Sequence, residues 1–238
     1  MNHIFSNVEE TLEGLALQIQ DLAKKAIEER GIFTISLSGG SSPKKLYQLL
    51  ADEPFHHGID WNKVYFFFGD ERYVPKDHPD SNYRMVKTVL LDVLSIPDDQ
   101  VFPFNTQLSP EESAKEYFRR ITEFFKSDSP VFDLVLLGLG DNSHTASLFP
   151  FTDILLEDRP GVSEVYLQDQ KIFRLSLNAP LINLARNISF LVYGLGKAEA
   201  VRHIQIDPID IELYPAQLIR KSEINVSWFM DQEAASLL

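Results

Sequence analysis

From Val8 to Glu29 the chain places Leu12, Leu15, Ile19, Leu22, Ala23 and Ala26 three or four residues apart, the step of a helix with one buried stripe. Gly31 ends it. The pattern then changes: Ile32 to Leu37 is a short apolar, β-branched run, SGGSSP follows, and KKLYQLL returns to helical character. This predicts strand, glycine turn and helix. Val64 to Phe68 (VYFFF) runs into GDERYVP, Phe132 to Gly140 (FDLVLLGLG) into DNSHTASLFP, and Ile188 to Gly196 (ISFLVYGLG) into the helical KAEAVRHI. Strands apolar at consecutive positions are covered on both faces. Ser81 to Leu91 and Glu111 to Phe125 predict helices, and INVSWFM from Ile224 predicts a last strand.

Strands alternating with helices predict an α/β fold with an open, mainly parallel sheet and helices on both faces, Rossmann-like in arrangement. No linker rich in Pro, Gly or Ser divides the chain, and there is no internal repeat. A single domain over residues 1–238 is therefore expected.

Composition narrows the chemistry. Lys plus Arg number 22 against 35 Asp plus Glu, a formal net charge of -13, which argues against a nucleic-acid or anionic-membrane binder because counterion release needs basic surface. The chain has no Cys, so disulfides, thiolate nucleophiles and Cys-based zinc sites are excluded. No apolar run approaches the roughly 20 residues of a spanning helix, and MNHIFSNVEETLEGL lacks the basic-then-apolar order of a signal peptide. The expected location is cytoplasmic.

In an open α/β sheet, ligands bind beyond the carboxyl ends of the strands, and every candidate motif falls at such an end. In Ser38 to Pro43, Gly39 and Gly40 allow close backbone approach, Ser42 suits an N-cap and Pro43 the first helical position, so free N–H groups and the helix dipole favour a phosphate. A glycine turn before a capped helix is also a common purely structural element. The segment matches neither GxxxxGK[ST] nor GxGxxG. In GDERYVPKDHPDSNYRM, Asp70, Glu71 and Arg72 follow directly on the aromatic strand, and Arg72 can clamp a carboxylate, phosphate or developing oxyanion in two-point fashion. The structural alternative is an ion pair of Arg72 with Asp70 or Glu71, and His78 reads as a solvated loop residue.

GLGDNSHTASLFP sets His144 in a polar turn past the most apolar strand, where an imidazole near pKa 6.5 is the natural general base at neutral pH. His3, His56, His57, His78 and His203 lack that setting. Arg174 in FRLSLNAP and Lys197 in GLGKAEA are further cations, each also readable as a surface charge. A chain this acidic holds an anion only through a local cationic pocket, and screening over about 8 Å makes local charge decisive. Arg72, Arg174 and Lys197 are its expected members.

SGGSSP, GDERYVP with Ser81 and Asn82 downstream, GLGDNSHTASLFP, RLSLNAP and GLGK occur in this order over nearly the whole chain. Together they resemble the 6-phosphogluconolactonase family, whose wider group includes glucosamine-6-phosphate deaminase/isomerase. The resemblance implies a carboxylic ester hydrolase that converts 6-phospho-D-glucono-1,5-lactone to 6-phosphogluconate in the oxidative pentose phosphate pathway, without metal or organic cofactor. It places Gly39, Gly40, Ser41 and Ser42 with Arg174 and Lys197 at the sugar phosphate, Asp70 and Arg72 in the lactone-contacting loop, and His144 as the catalytic histidine. The implied partner is a small sugar phosphate, with no nucleic acid or membrane, for a monomer or weak homo-oligomer.

Two rivals remain. The deaminase branch is similar to DEY where this chain has Asp70, Glu71 and Arg72, and to HxAxNEP where it has HTASLFP, so Phe149 replaces the Glu that supports the histidine in ring opening. A phenyl ring neither tunes nor relays protons as that carboxylate does, which favours the lactonase. The other rival is a non-catalytic sugar-phosphate-binding module like those that act as effector domains in bacterial regulators. A DNA-binding segment precedes such domains, whereas residues 1–31 here read as one non-basic helix. The chain also departs from the lactonase pattern, which has Asp-Gly directly before the histidine where Asn142 and Ser143 stand. Asn142 keeps a hydrogen-bonding shape without the charge, with Asp141 as a neighbouring substitute. Ser143 suggests either that the turn needs no positive φ or that it tolerates strain.

Overall fold

A computed structural model describes residues 1–219 and 225–238. In chain order its main elements are β1 (Asn2–Phe5), α1 (Val8–Arg30), β2 (Phe33–Leu37), α2 (Ser41–Ala51), α3 (Phe55–Gly58), β3 (Val64–Phe68), β4 (Asp70–Arg72), α4 (Asn82–Val86), β5 (Val101–Phe102), α5 (Pro110–Phe125), β6 (Leu134–Leu137), β7 (Val162–Leu167), β8 (Ile172–Leu177), α6 (Ala179–Ile182), β9 (Ile188–Val192), α7 (Ala198–Gln205) and β10 (Val226–Asp231).

Local chemistry sets the longer helices. Asn7 accepts from the Glu10 N–H to start α1, and Gly31, at φ 83°, closes it by donating to the Ile27 carbonyl. Ser109 and Glu112 form a reciprocal capping box at α5, with Pro110 in its first turn. The apolar stripe of α1 is buried as its spacing predicts, with Leu15, Ala16, Ile19, Ala23 and Ala26 almost fully covered.

Seven strands form one sheet in the order β1-β10-β9-β6-β2-β3-β5, and every neighbouring pair is parallel. Layers cover both faces, as β3 demonstrates: Phe67 packs against Phe124 and Phe125 of α5, whereas its neighbour Phe68 meets Tyr83 of α4. The Rossmann-like α/β expectation is met, as a single domain. Successive crossovers go one way from β2 to β3 and the other way from β6 to β9, so the order reverses between β2 and β6. Their loops flank the crevice where such folds bind ligands.

Two elements depart from the sequence reading. Residues 2–5 form an edge strand parallel to β10 rather than the lead into one helix. A second, three-stranded antiparallel sheet, β4-β8-β7, stands beside the main one. Gly69 joins the two by donating to Leu37 of β2 and accepting from Leu177 of β8, both at 2.8 Å. The predicted helix over Ser81 to Leu91 is α4 followed by a π-helical turn, Lys87–Leu91. The last strand begins at Val226, and Ile224 lies outside the described residues. No described helix is long and apolar enough to cross a membrane.

Candidate active site

A cleft of about 320 Å³ opens at the carboxyl ends of β2, β3, β6 and β9. It brings together nine of the residues singled out from sequence: Gly39, Gly40, Ser41, Ser42, Asp70, Arg72, His144, Arg174 and Lys197. Asn142 lies outside that lining, and it touches His144.

The β2 loop is held from behind by Tyr47, whose hydroxyl donates to the Ser38 carbonyl (2.8 Å) and accepts from the Ser38 N–H (3.0 Å). The helix start differs from the sequence reading. Gly40, at φ 106°, is the N-cap of α2 with no side-chain cap, and Ser41, Ser42 and Pro43 form the first turn. Ser42 is therefore no cap, and its N–H stays among the donors that a first turn leaves for a ligand. Gly39 is required for another reason than ligand approach: a Cβ there would fall 1.8 Å from Asn82 Oδ1.

β4 carries the acidic and basic groups of the side sheet. The buried carboxylate of Asp70 accepts from Ser147 Oγ (2.8 Å) and Asn82 Nδ2 (3.3 Å). Glu71 is also buried and accepts from the N–H groups of Arg72, Asn82 and Tyr83 and from Ser81 Oγ, which welds β4 to the start of α4. Burial pushes its carboxyl above the usual range, against the pull of those backbone donors.

The ion pair of Arg72 with Asp70 or Glu71 does not form. Arg72 donates to the Asp80 carbonyl (2.9 Å) and stands directly opposite Arg174 across the β4–β8 pair, while Arg174 donates to Gln170 (3.0 Å). Neither guanidinium has a carboxylate partner among the described residues, and the Nε of each is buried without an acceptor there. Burial, and then the Arg72 charge, pull the Arg174 guanidinium below its ordinary value. Like charges opposed in this way repel, and an anion between them removes the repulsion. Among the described residues, three cations line the cleft against the carboxylate of Asp70, and Asp141, outside the lining, pairs with Lys197, which still leaves the local charge positive in a chain that is negative as a whole.

His144 sits on the loop after β6. Its Nδ1 donates to Asn142 Oδ1, so Nε2 keeps the lone pair. Gly140 gives the ring room, since a Cβ there would lie 2.1 Å from Nδ1 and Cε1. Phe149 stacks on the imidazole, centroids 4.1 Å apart and planes at 22°. Burial lowers its pKa to about 4: Asp70 and Asp141 favour the imidazolium, and Lys197 and Arg174 oppose it.

Asp141 does not substitute for the missing charge beside His144. It pairs with Lys197 at 2.5 Å and is otherwise exposed. Ser143 takes φ 62°, so the turn does demand the left-handed conformation, and the reading that it needs no positive φ is overturned. Among the residues that sequence reasoning left unassigned, Ser147, Asn82, Phe149 and Gln170 line the cleft. The signals available for Asn82 were its place after GDERYVP and the glycine at 39. For Gln170, in a polar turn between two strands of the side sheet, there was none. No group of three or more His, Asp or Glu among the described residues is placed to hold a metal ion.

Residues 6–228 match the family model described as glucosamine-6-phosphate isomerases/6-phosphogluconolactonase. A 6-phosphogluconolactonase of Synechocystis is 42% identical over 218 residues, covering 90% of this chain and 88% of the relative. A probable 6-phosphogluconolactonase 1 of Arabidopsis thaliana is 36% identical over 99% of this chain and 92% of its own length. Among solved structures, the 6-phosphogluconolactonase from Trypanosoma cruzi superposes with a TM-score of 0.88 at 30% identity, covering 100% of this chain and 96% of that one.

Proposed function

Since the chain belongs to the glucosamine-6-phosphate isomerase/6-phosphogluconolactonase family, we propose that it hydrolyses 6-phospho-D-glucono-1,5-lactone to 6-phosphogluconate in the oxidative pentose phosphate pathway. The observation that carries the reading is a neutral imidazole, held by Asn142 and presented to a cleft lined by three cations.

The phosphate binds the free N–H groups of the Gly39–Ser42 turn with Arg174 and Lys197, which sets the lactone carbonyl near His144. Nε2 takes a proton from water, and the hydroxide formed attacks C1. The charge that gathers on the carbonyl oxygen is met by Arg72. As the intermediate collapses, the bond from C1 to the ring oxygen breaks and the imidazolium returns its proton to that oxygen. Asp70, a buried carboxylate whose charge favours the imidazolium, supports the transient cation, and Asn142 holds the tautomer. Every step uses groups of the chain and water. The working state is a monomer or weak homo-oligomer in the cytoplasm, with no nucleic-acid partner.

The lactone also opens unaided, so the assay measures turnover of freshly generated lactone above that background. General base action is worth roughly 10² to 10⁴ in rate. His144→Ala is expected to lose nearly all turnover while 6-phosphogluconate still binds by calorimetry, and undiminished turnover removes His144 from the mechanism.

A further inference from the structure

We propose that Phe149 tunes and positions the His144 base: its ring shields one face of the imidazole from water and fixes the plane in which Nδ1 meets Asn142 and Nε2 is left for the cleft. The inference rests on the reading of His144 as the base, and gives a function to a residue that the sequence comparison marked only as a lost carboxylate.

The chain is bent to make this contact. Between His144 and Phe149 the backbone folds back, with Leu148 N–H bonded to the Thr145 carbonyl (2.9 Å) and Ala146 at φ 47°. Thr145 Oγ1 ties the turn to the Gly138 carbonyl (2.8 Å), and Thr152 Oγ1 ties down the Phe149 carbonyl (2.6 Å). Phe149 is itself packed against the core, so the stack is set by the fold and the ring cannot swing away freely.

Stacking replaces water over one face by hydrocarbon, which penalises the imidazolium more than the neutral ring. The charged groups facing the ring come from four places: Asp70 on β4 and Asp141 on its own loop favour the cation, while Arg174 on β8 and Lys197 after β9 oppose it. Burial outweighs them and leaves the base neutral down to about pH 4 in the free protein. An unshielded histidine at 6.5 would be about three-quarters protonated at pH 6. A bound phosphate dianion offsets Arg174 and Lys197, so the imidazolium becomes easier to form once substrate is in place. The Phe149 ring thus keeps the base unprotonated until the ester arrives. A carboxylate at this position, as in the deaminase pattern, would act in the opposite direction.

The test is an NMR titration of the His144 ring proton in the intact chain, alongside the pH dependence of kcat/KM, for the wild type, Phe149→Ala, Phe149→Gln and Phe149→Tyr. The wild-type midpoint is expected well below 6.5. In Phe149→Ala and Phe149→Gln, which let water or a polar group onto the exposed face, it rises by about one unit or more, the acid limb of kcat/KM rises with it, and kcat falls about tenfold with KM little changed. Phe149→Tyr keeps the wild-type values. A wild-type midpoint at 6.5 overturns the proposal whatever the variants do, and so does an unmoved midpoint in a folded Ala or Gln variant. A midpoint that moves as expected in a chain that never turns over lactone sustains the tuning and refutes only the lactonase reading.

Discussion

Ser143→Gly should stabilise the protein. Ser143 is held at φ 62°, a left-handed conformation that costs a residue with a Cβ roughly 1–2 kcal/mol. Its side chain is buried, and Oγ has no hydrogen-bond partner among the described residues, an omission worth about 1–3 kcal/mol. Glycine removes both penalties and gives back about 0.5–1 kcal/mol through the greater freedom of the unfolded chain. The backbone bonds of this residue, from its N–H to the Gly140 carbonyl (2.9 Å) and to its carbonyl from Ala216 N–H (3.0 Å), are untouched. The expected gain is about 1–4 kcal/mol, or roughly 2–16 °C in Tm for a chain of this size. Urea unfolding followed by circular dichroism reads the change directly. Ser143→Ala separates the two contributions, because it removes the stranded hydroxyl and keeps the strain. A glycine variant no more stable than the wild type refutes the claim that this turn is strained, and one less stable than Ser143→Ala refutes the assignment of any cost to the backbone.

Asn142→Asp keeps the acceptor for Nδ1 and adds a negative charge beside it, so the His144 midpoint should rise from about 4 and kcat should increase; an unchanged kcat in a chain whose midpoint has risen shows that the amide already suffices. Stability should also respond to acid through this ring. Its folded pKa lies below its unfolded value of about 6.5, so the unfolded chain binds more protons between the two and stability falls as pH drops from about 6.5 toward about 4. His144→Gln flattens that part of a plot of urea midpoint against pH, and an identical slope in the variant refutes the shift.

Much of this arrangement is written in local patterns. The five buried positions of β2 and of β9 are consecutive apolar or small residues, and uninterrupted runs of that kind belong to strands covered on both sides. The glycine turns after them mark, in the sequence itself, the edge where the cleft lies. The side sheet was not legible, because β4 is only three residues, all charged, and is a strand only by virtue of its partner β8. Its pairing with β8 is also what sets Arg72 opposite Arg174, so the absence of an ion pair with Asp70 or Glu71 is a consequence of register. Residues 2–5 escaped notice because an exposed edge strand buries little and its alternation is too short to stand out. The strain at Ser143 had a sequence signal, the glycine expected there, but only the dihedral angle decides between strain and a relaxed turn.

The joint at Gly69 couples two frames that meet over one cleft. The guanidinium pair rides on the antiparallel strands, while the imidazole is borne by a loop of the parallel sheet. Ser176 of β8 accepts from the Ser147 N–H on that loop (3.1 Å), and Ser147 Oγ in turn donates to Asp70 of β4 (2.8 Å). Exchanging the ribbon of β7 and β8 for another sequence therefore disturbs anion acceptance and proton transfer together, and a change of substrate that spares the reacting centre has to leave Ser176 in place.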